Sequence, residues 1–395
     1  MNSNTRIAIR AIVLVTLAIA LSAASSRLRA DTGTCGGAST TLPFTDVMGN
    51  PFFCQIAEAY FSGLTNGTTA TTYSPATNVT RDQMAAFVTR TLDQSLKRGS
   101  RRGALDQWAT PTSVPATGKT TVGTNPDLVK SDGEDLWVAN HGSGTVSRVH
   151  GSDGSLLGTW TGAVNAFGVV IARGRVFVTG ETSPGAIYVI DPTQPPGPVT
   201  TLTSMLPNNP GSIAFDGFNL WTNSGGVGDS ISRVNPNSGA VTSFTGFTFP
   251  DALLYDGTNI WLTVANALKK IDKTTGAVLL TIPIANSARG HIFDGANIWI
   301  PSFTEDSVTV VKASTGTVLA VLTGNNLAGP NQAAFDGERV LVVNLHNDSV
   351  SLWKASDLTP LGFATGATSV RGVCSDGLHF WLTLQDGPPG HLVRF

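Results

Sequence analysis

The stretch FDGFNLWT, residues 215–222, is one of seven related copies in this chain. Most copies contain an apolar residue, Asp-Gly, two further residues and an aliphatic-aromatic pair. The other six are SDGEDLWV (131–138), ARGRVFVT (172–179), YDGTNIWL (255–262), FDGANIWI (293–300), FDGERVLV (335–342) and SDGLHFWL (375–382). Consecutive copies lie 38 to 43 residues apart, a period typical of a four-stranded propeller blade. The repeats therefore predict a mainly β fold: a seven-bladed β-propeller of four-stranded blades.

One period contains four strand signals separated by turn residues, for example GSIAF, NLWTN, SISRVN and AVTSFTG. Asp-Gly suits the first hairpin because glycine tolerates positive φ. The aromatic position is filled by Trp137, Phe177, Trp221, Trp261, Trp299 and Trp381, with Leu341 as the exception. Since five of the eight tryptophans share this one position, we predict that they pack between blades and do not bind a ligand.

The sequence ends in HLVRF (391–395), which supplies only the third strand of the last blade. The segment TSVPATGKTTVG (112–123) lies at the right offset to supply the fourth strand. We therefore predict a propeller over residues 105–395 whose ring is closed by strands from both ends, which removes an exposed sheet edge.

Related segments recur in several blades: VANHGSGTVSRVHGSDGSLLGTW (138–160), SISRVNPNSGAV (230–241) and SVTVVKASTGTVL (307–319). In these segments the chain resembles, over residues 120–395, the YVTN or NHL-like propellers of bacterial extracellular proteins, whose typical blade core is V-A-N-x-x-x-x-T-V-S-V-I-D. The resemblance implies the fold but no single activity, because propellers host unrelated functions.

The first 30 residues have the pattern of a signal peptide. Arg6 and Arg10 precede an apolar run over residues 11–21 and then the small residues 22–24. The run is shorter than a membrane span of about 20 residues. We expect a protein that is secreted or held in the bacterial cell envelope, with no transmembrane segment after signal removal.

Charge and cysteine content limit the partners. Charged residues make up 13% of the chain and the net charge is −2, so nucleic acid is not an expected partner. Export favours disulfides, and Cys35 and Cys54, both upstream of the repeats, are the natural pair. Cys374 is either a small buried apolar residue or a reactive thiol.

Residues 31–104 have a different pattern, which predicts two short helices. Asn50 and Pro51 begin the first helix, whose apolar residues include Phe53 and Ile56. Thr80 and Gln83 form a capping box for the second helix. That helix is expected to bury Met84, Phe87, Val88 and Leu92.

Three motifs, FTDV (44–47), GLTNG (63–67) and TRDQ (80–83), resemble an S-layer homology (SLH) module in type and order. The resemblance implies attachment to cell-wall polysaccharide or peptidoglycan, with Arg81 and Asp46 as wall-polymer-binding residues. Arg81 lies in the first helical turn, where the helix dipole disfavours a cation, so it is either retained there for a ligand or is a solvated surface arginine. The basic residues of 97–102 are a helix end and linker, or a second contact to an anionic polymer.

The chain contains no nucleophile elbow, phosphate loop, H-E-x-x-H or C-x-x-C motif, and we expect no cofactor and no metal. Residues just before each innermost strand should surround one channel mouth. They are Asn125, Asp127, Asn165, Asn209, Asp251, Arg289, His291, Asn331 and Arg371. This set is either a hydrated entrance or a binding site for a glycan or small anion, with Arg289 and Arg371 as forked donors.

We therefore predict a non-enzymatic cell-envelope protein that attaches to the wall through the SLH-like module, while the propeller binds an unknown glycan, peptide or protein. The alternative is a propeller hydrolase or lyase, lactonase-like or streptogramin-lyase-like, with its site in the channel mouth. His291, Glu305 and Asp306 are its candidate residues. Streptogramin-lyase propellers carry W-F-T-E where this chain has LWVAN, LWTNS and IWLTV.

Overall fold

The computed structural model describes residues 30–35, 38–61, 64–88, 113–114, 118–225 and 229–395. The predicted signal peptide and the basic residues of 97–102 lie outside these ranges, apart from residue 30. The chain forms two compact units, Met1–Gln107 and Trp108–Phe395. Among the described residues, no helix combines the length and the apolar character needed to cross a membrane.

The second unit is a seven-bladed propeller of four-stranded antiparallel sheets, which confirms the predicted fold. From the channel outward, blades 1 to 3 are β4–β7 (Pro126–Ser131, Asp135–Asn140, Thr145–His150, Leu156–Thr161), β8–β11 (Ala166–Ala172, Arg175–Gly180, Gly185–Ile190, Thr200–Leu206) and β12–β15 (Pro210–Phe215, Leu220–Ser224, Ser230–Val234, Val241–Thr245). Blades 4 to 6 are β16–β19 (Pro250–Tyr255, Ile260–Val264, Ala267–Ile271, Val278–Pro283), β20–β23 (Ile292–Phe293, Asn297–Ser302, Ser307–Lys312, Thr317–Leu322) and β24–β27 (Pro330–Phe335, Arg339–Asn344, Ser349–Lys354, Pro360–Thr365).

Blade 7 closes the ring with strands from both ends of the unit. Its strands are β28 (Val370–Ser375), β29 (Phe380–Leu384), β30 (His391–Arg394) and β3 (Lys119–Thr121), in that order. Lys119 pairs with Val393 and Thr121 with His391. The predicted closure is therefore confirmed.

The Asp-Gly turn and the tryptophan of each copy are joined by hydrogen bonds. In blade 4, Asp256 accepts the backbone N–H groups of Thr258 and Asn259 through Oδ1, and the indole Nε1–H of Trp261 through Oδ2 at 2.7 Å. Blades 1, 3, 5 and 7 have the same indole contact. These tryptophans are at most 1% exposed, so the predicted packing role is confirmed.

Two blades replace this contact. In blade 6, where Leu341 occupies the aromatic position, Arg339 Nε donates to Asp336 Oδ2 at 2.9 Å. In blade 2, no Asp precedes the turn, and the Arg175 guanidinium carbon lies 5.3 Å from the ring centre of Phe177. Both blades that lack the Asp–Trp hydrogen bond therefore have an arginine as the first residue of their second strand.

A residue in the left-handed conformation precedes every inner strand. The seven residues are Asn125, Asn165, Asn209, Phe249, Ser287, Gly329 and Ser369, with φ between 49° and 59°. Asparagine adopts this conformation more readily than most residues. In six blades the carbonyl of this residue accepts the N–H of the residue that directly follows the second strand. This turn brings the chain back toward the channel at the start of each blade.

The first unit contains the hairpin β1 (Asp31–Cys35) and β2 (Ala38–Leu42) and the helix α1 (Phe53–Phe61). A disulfide joins Cys35 to Cys54 and so links β1 to α1. Asn50 Oδ1 accepts the Phe52 N–H at 2.8 Å ahead of α1. Phe53 and Ile56 are buried, as predicted.

Residues 81–88 are also helical, and the Thr80 N–H donates to Gln83 Oε1 at 2.9 Å, which confirms the capping box. The prediction that Met84 and Val88 are buried is wrong, because they are 53% and 61% exposed. Helical spacing identified one apolar face, but in the described residues the core of this unit forms on α1 and the hairpin instead. Leu92 lies outside the described residues.

Candidate functional site

The wall of the central channel begins, in each blade, two residues after the left-handed turn residue. In blade order the residues at this position are Asp127, Phe167, Gly211, Asp251, Arg289, Asn331 and Arg371. Five residue types occupy these seven equivalent positions, whereas the aromatic position holds one type in five blades. Packing between blades keeps the residue type the same at structural positions of a repeat. The seven channel positions vary in residue type, so they are the positions that can serve ligand contact.

Six of these seven residues line one cavity of about 300 Å³ at the channel mouth. Six of the nine predicted channel-mouth residues line it: Asp127, Asp251, Arg289, His291, Asn331 and Arg371. The other three, Asn125, Asn165 and Asn209, are not among the lining residues, because each forms the left-handed turn before an inner strand. The sequence did not single out four further lining residues, Lys130, Phe167, Phe303 and Gln332.

Arg289 is held from two sides. Its Nη1 donates to Asp251 Oδ1 at 3.2 Å, and its guanidinium carbon lies 5.2 Å from the ring centre of Phe303. Its Nε is buried and makes no hydrogen bond with any described residue. Burial raises the pKa of Asp251, and the charge of Arg289 opposes that shift. Arg289 is therefore held in a fixed position at the cavity, with its Nε covered by protein atoms.

His291 lies at a position that is aliphatic in the other six blades. The equivalent residues, defined by the strand register, are Val129, Val169, Ile213, Leu253, Ala333 and Val373. Both ring nitrogens of His291 are buried, and neither has a hydrogen-bond partner of regular geometry among the described residues. Burial lowers the pKa of His291 to about 4, and backbone hydrogen bonding with Trp261 and Arg289 opposes the shift. The imidazole is therefore neutral at neutral pH.

Blade 5 departs from the repeat at this point. Its inner strand β20 has two residues, whereas the other inner strands have six or seven. Ala288 still pairs with Ser302 as an isolated bridge, and Arg289, Gly290 and His291 lie between this bridge and β20. A Cβ at Gly290 would overlap the amide end of the Gln332 side chain, so any larger residue there would require Gln332 to move. A local break in an otherwise regular repeat is typical of a functional site.

An acidic group lies beside the cavity, on blades 1 and 2. Burial raises the pKa of Asp127, and the charges of His141 and Arg371 oppose the shift. Burial and then the charge of Asp127 raise the pKa of Glu181 to about 7. His141 Nε2 lies 3.5 Å from Glu181 Oε2. Sequence spacing could not show that these groups meet, because they follow strands of different blades.

Lys130 and Cys374 belong to the inner strands of neighbouring blades. Burial lowers the pKa of Lys130, and the charge of Cys374 opposes the shift. Burial raises the pKa of the Cys374 thiol to about 12. The thiol is therefore protonated at neutral pH and is not activated as a nucleophile.

The other candidate residues serve the turns. Asp306 Oδ1 accepts the Gly329 N–H at 2.7 Å, and Glu305 is exposed. His346 packs edge-on against Phe303, with ring centres 4.6 Å apart. Over the described ranges, no cluster of His, Cys, Asp or Glu is arranged to hold a metal ion.

In the first unit, Asp46 and Arg81 have different surroundings. Asp46 accepts the backbone N–H groups of Tyr73 at 2.9 Å and Ser74 at 2.7 Å, so it fixes the 73–74 loop. Arg81 is exposed at the start of its helix. A pocket of about 580 Å³ adjoins this region, lined by Tyr73 and Phe87 among other residues, and neither Asp46 nor Arg81 lines it.

The fold and the cavity define a seven-bladed propeller with a polar channel mouth. Residues 129–289 match the model of a family described as "Repeat of unknown function (DUF6923)". No curated protein matches the chain by sequence.

Solved structures with the same fold cover 70% of the chain. A catalytically inactive variant of virginiamycin B lyase from Staphylococcus aureus, determined with quinupristin, matches with a TM-score of 0.59 at 16% identity, over 98% of its own chain. A streptogramin B lyase has a TM-score of 0.58 at 15% identity, over 97% of its chain. Hydrazine synthase from Kuenenia stuttgartiensis has a TM-score of 0.58 at 16% identity, over 98% of its chain. At these identities the likeness shows the fold alone.

Proposed function

We propose that this is an exported, non-enzymatic protein of the bacterial cell envelope. The propeller binds a small polar ligand in its channel mouth, and the SLH-like unit attaches the protein to wall polysaccharide or peptidoglycan. The observation that carries the binding proposal is that the repeat breaks at Arg289–His291, where it places two polar side chains in the lining of one cavity.

The energetic argument for a ligand rests on the polar atoms of these two side chains. A buried polar group without a hydrogen bond destabilises a fold by about 1–3 kcal/mol. Arg289 Nε is such a group, and the two ring nitrogens of His291 have only backbone contacts with Trp261 and Arg289 that fall short of regular hydrogen bonds. A regular blade would have a valine or leucine in place of His291, so these groups are a cost to stability that ligand binding would offset.

A glycan microarray tests channel-mouth binding. The intact protein is compared with Arg289→Ala and His291→Val, and with Arg173→Ala as a control, since Arg173 lies in the hairpin at the other end of an inner strand. We expect bound glycans to be lost by the two cavity variants and retained by the control. Equal binding by all four proteins would show that the channel mouth is not the site.

Wall attachment is tested by co-sedimentation with purified cell wall. We expect the intact protein to sediment and Arg81→Ala to remain in solution, with Arg394→Ala in the propeller as the matched control. The proposal for this unit fails if the intact protein does not sediment, or if Arg81→Ala sediments equally well.

A hydrolase or lyase is the second candidate, and Glu181 is the observation that favours it. A carboxyl group with a pKa of about 7 is suited to general acid-base catalysis, and His141 lies 3.5 Å away. Turnover of a bound glycan or cyclic peptide that is lost in Glu181→Gln, with binding retained, would favour this candidate over the binding protein.

A further inference from the structure

We propose, on the basis of the channel-mouth binding proposed above, that the ligand is a small hydroxylated carboxylic acid of the size of one sugar acid. The cavity combines donors for a carboxylate with neutral groups for hydroxyls, and its volume limits the ligand to one ring.

The carboxylate side is formed by basic residues from three blades. Arg289, Arg371 and Lys130 all line the cavity. Arg289 uses Nη1 for Asp251, and 40% of its side chain is exposed. Arg371 donates Nε to Gln385 at 3.1 Å, which orients its guanidinium group without neutralising it. Such forked donors suit a planar carboxylate.

The hydroxyl side is neutral. His291 lines the cavity as a neutral imidazole, because burial lowers its pKa to about 4. Asn331 and Gln332 add amide donors and acceptors on the same cavity wall. Phe167 supplies an apolar surface at the mouth. This set suits a ring that has both polar edges and C–H faces.

The two acidic residues of the cavity do not prevent binding of an anion. Asp251 is paired with Arg289. Asp127 lies near Arg371 and His141, whose charges act on it. Lys130, Arg289 and Arg371 therefore leave the cavity with one more basic than acidic side chain. A ligand carrying a single negative charge balances the set.

The volume sets the size of the ligand. About 300 Å³ is at the lower limit of the range found for small-molecule pockets. One sugar ring with its substituents fits this volume, whereas a folded protein segment does not. A free sugar acid and the terminal residue of an acidic polysaccharide share this chemistry.

Isothermal titration calorimetry of the full chain tests the inference with D-glucuronate, its methyl ester and D-glucose. We expect D-glucuronate to bind at least about tenfold more tightly than either neutral compound. Arg289→Met should remove that preference, while Arg173→Met should retain it. Arg371→Met is the second variant, used if Arg289→Met does not fold. A digalacturonate arm distinguishes a chain end from a free sugar acid.

Equal affinity for the acid and the neutral compounds would overturn this inference while leaving channel-mouth binding intact. Binding of none of the probes would also overturn it, and the glycan array would then decide separately whether the channel mouth binds a ligand of another class. Retention of the acid preference in both arginine variants would likewise contradict it.

Discussion

Replacing His291 by valine should stabilise the protein while abolishing ligand binding. Valine fills the equivalent position in three other blades, at Val129, Val169 and Val373. The substitution removes two buried nitrogens whose contacts with the backbone of Trp261 and Arg289 fall short of regular hydrogen bonds. After allowance for imperfect packing of the smaller side chain, we expect a gain of about 1–2 kcal/mol in the free energy of unfolding at pH 7.

The gain should increase in acid. Burial lowers the pKa of His291 from 6.5 to about 4, so the folded protein resists a proton that the unfolded chain accepts. The stability contributed by the neutral imidazole is present above pH 6.5 and is lost as the pH falls toward about 4. Each pH unit in that window is worth about 1.4 kcal/mol, so the advantage of His291→Val should increase by about 2 kcal/mol at pH 5.

Urea unfolding at pH 7 and pH 5 measures both effects. Val169→His is the matched reverse change, and it should destabilise the protein by about 1–3 kcal/mol because it buries an unpaired imidazole in a regular blade. If His291→Val is less stable than the original protein at both pH values, His291 is a packing residue and the reasoning is wrong.

Three further changes test other parts of the structure. Asp256→Ala leaves the Trp261 indole N–H without its acceptor and should lower the free energy of unfolding by about 2–3 kcal/mol, with Asp256→Asn intermediate, as measured by urea unfolding. Glu181 has a folded pKa of about 7 against 4.5, so its contribution to stability is lost as the pH rises through this window. As the pH rises through this window, the free energy of unfolding of the original protein should fall by about 1–2 kcal/mol relative to that of Glu181→Gln, after a discount for solvent screening. The control variant Glu305→Gln, at an exposed site, should show no such difference. Deletion of residues 390–395 removes the strand that joins β29 to β3 and should lower the melting temperature of the whole propeller; an unchanged value contradicts ring closure.

The sequence predicted the fold well because the fold is fixed by local chemistry that repeats. Each Asp-Gly turn and its tryptophan lie five residues apart, so the hydrogen bond that joins them is encoded within one hairpin. The closing strand could also be predicted, because the last blade visibly lacked one strand and only the segment before the first blade could supply it.

The site was only partly predictable, because it is assembled from different blades. The position before each inner strand identified Arg289 and Arg371, but Asn125 turned out to form a turn whose left-handed conformation recurs in every blade. The contact between His141 and Glu181 depends on how neighbouring blades pack, which no local motif encodes. A register comparison of the seven inner strands would have distinguished His291 from its aliphatic equivalents.

The channel mouth as a ligand site is tested most directly by a crystal structure of the protein grown with D-glucuronate. We predict that the sugar lies in the cavity with its carboxylate at Arg289 and a hydroxyl group at His291. A ligand bound elsewhere on the protein, with the channel mouth occupied by water alone, would contradict the account.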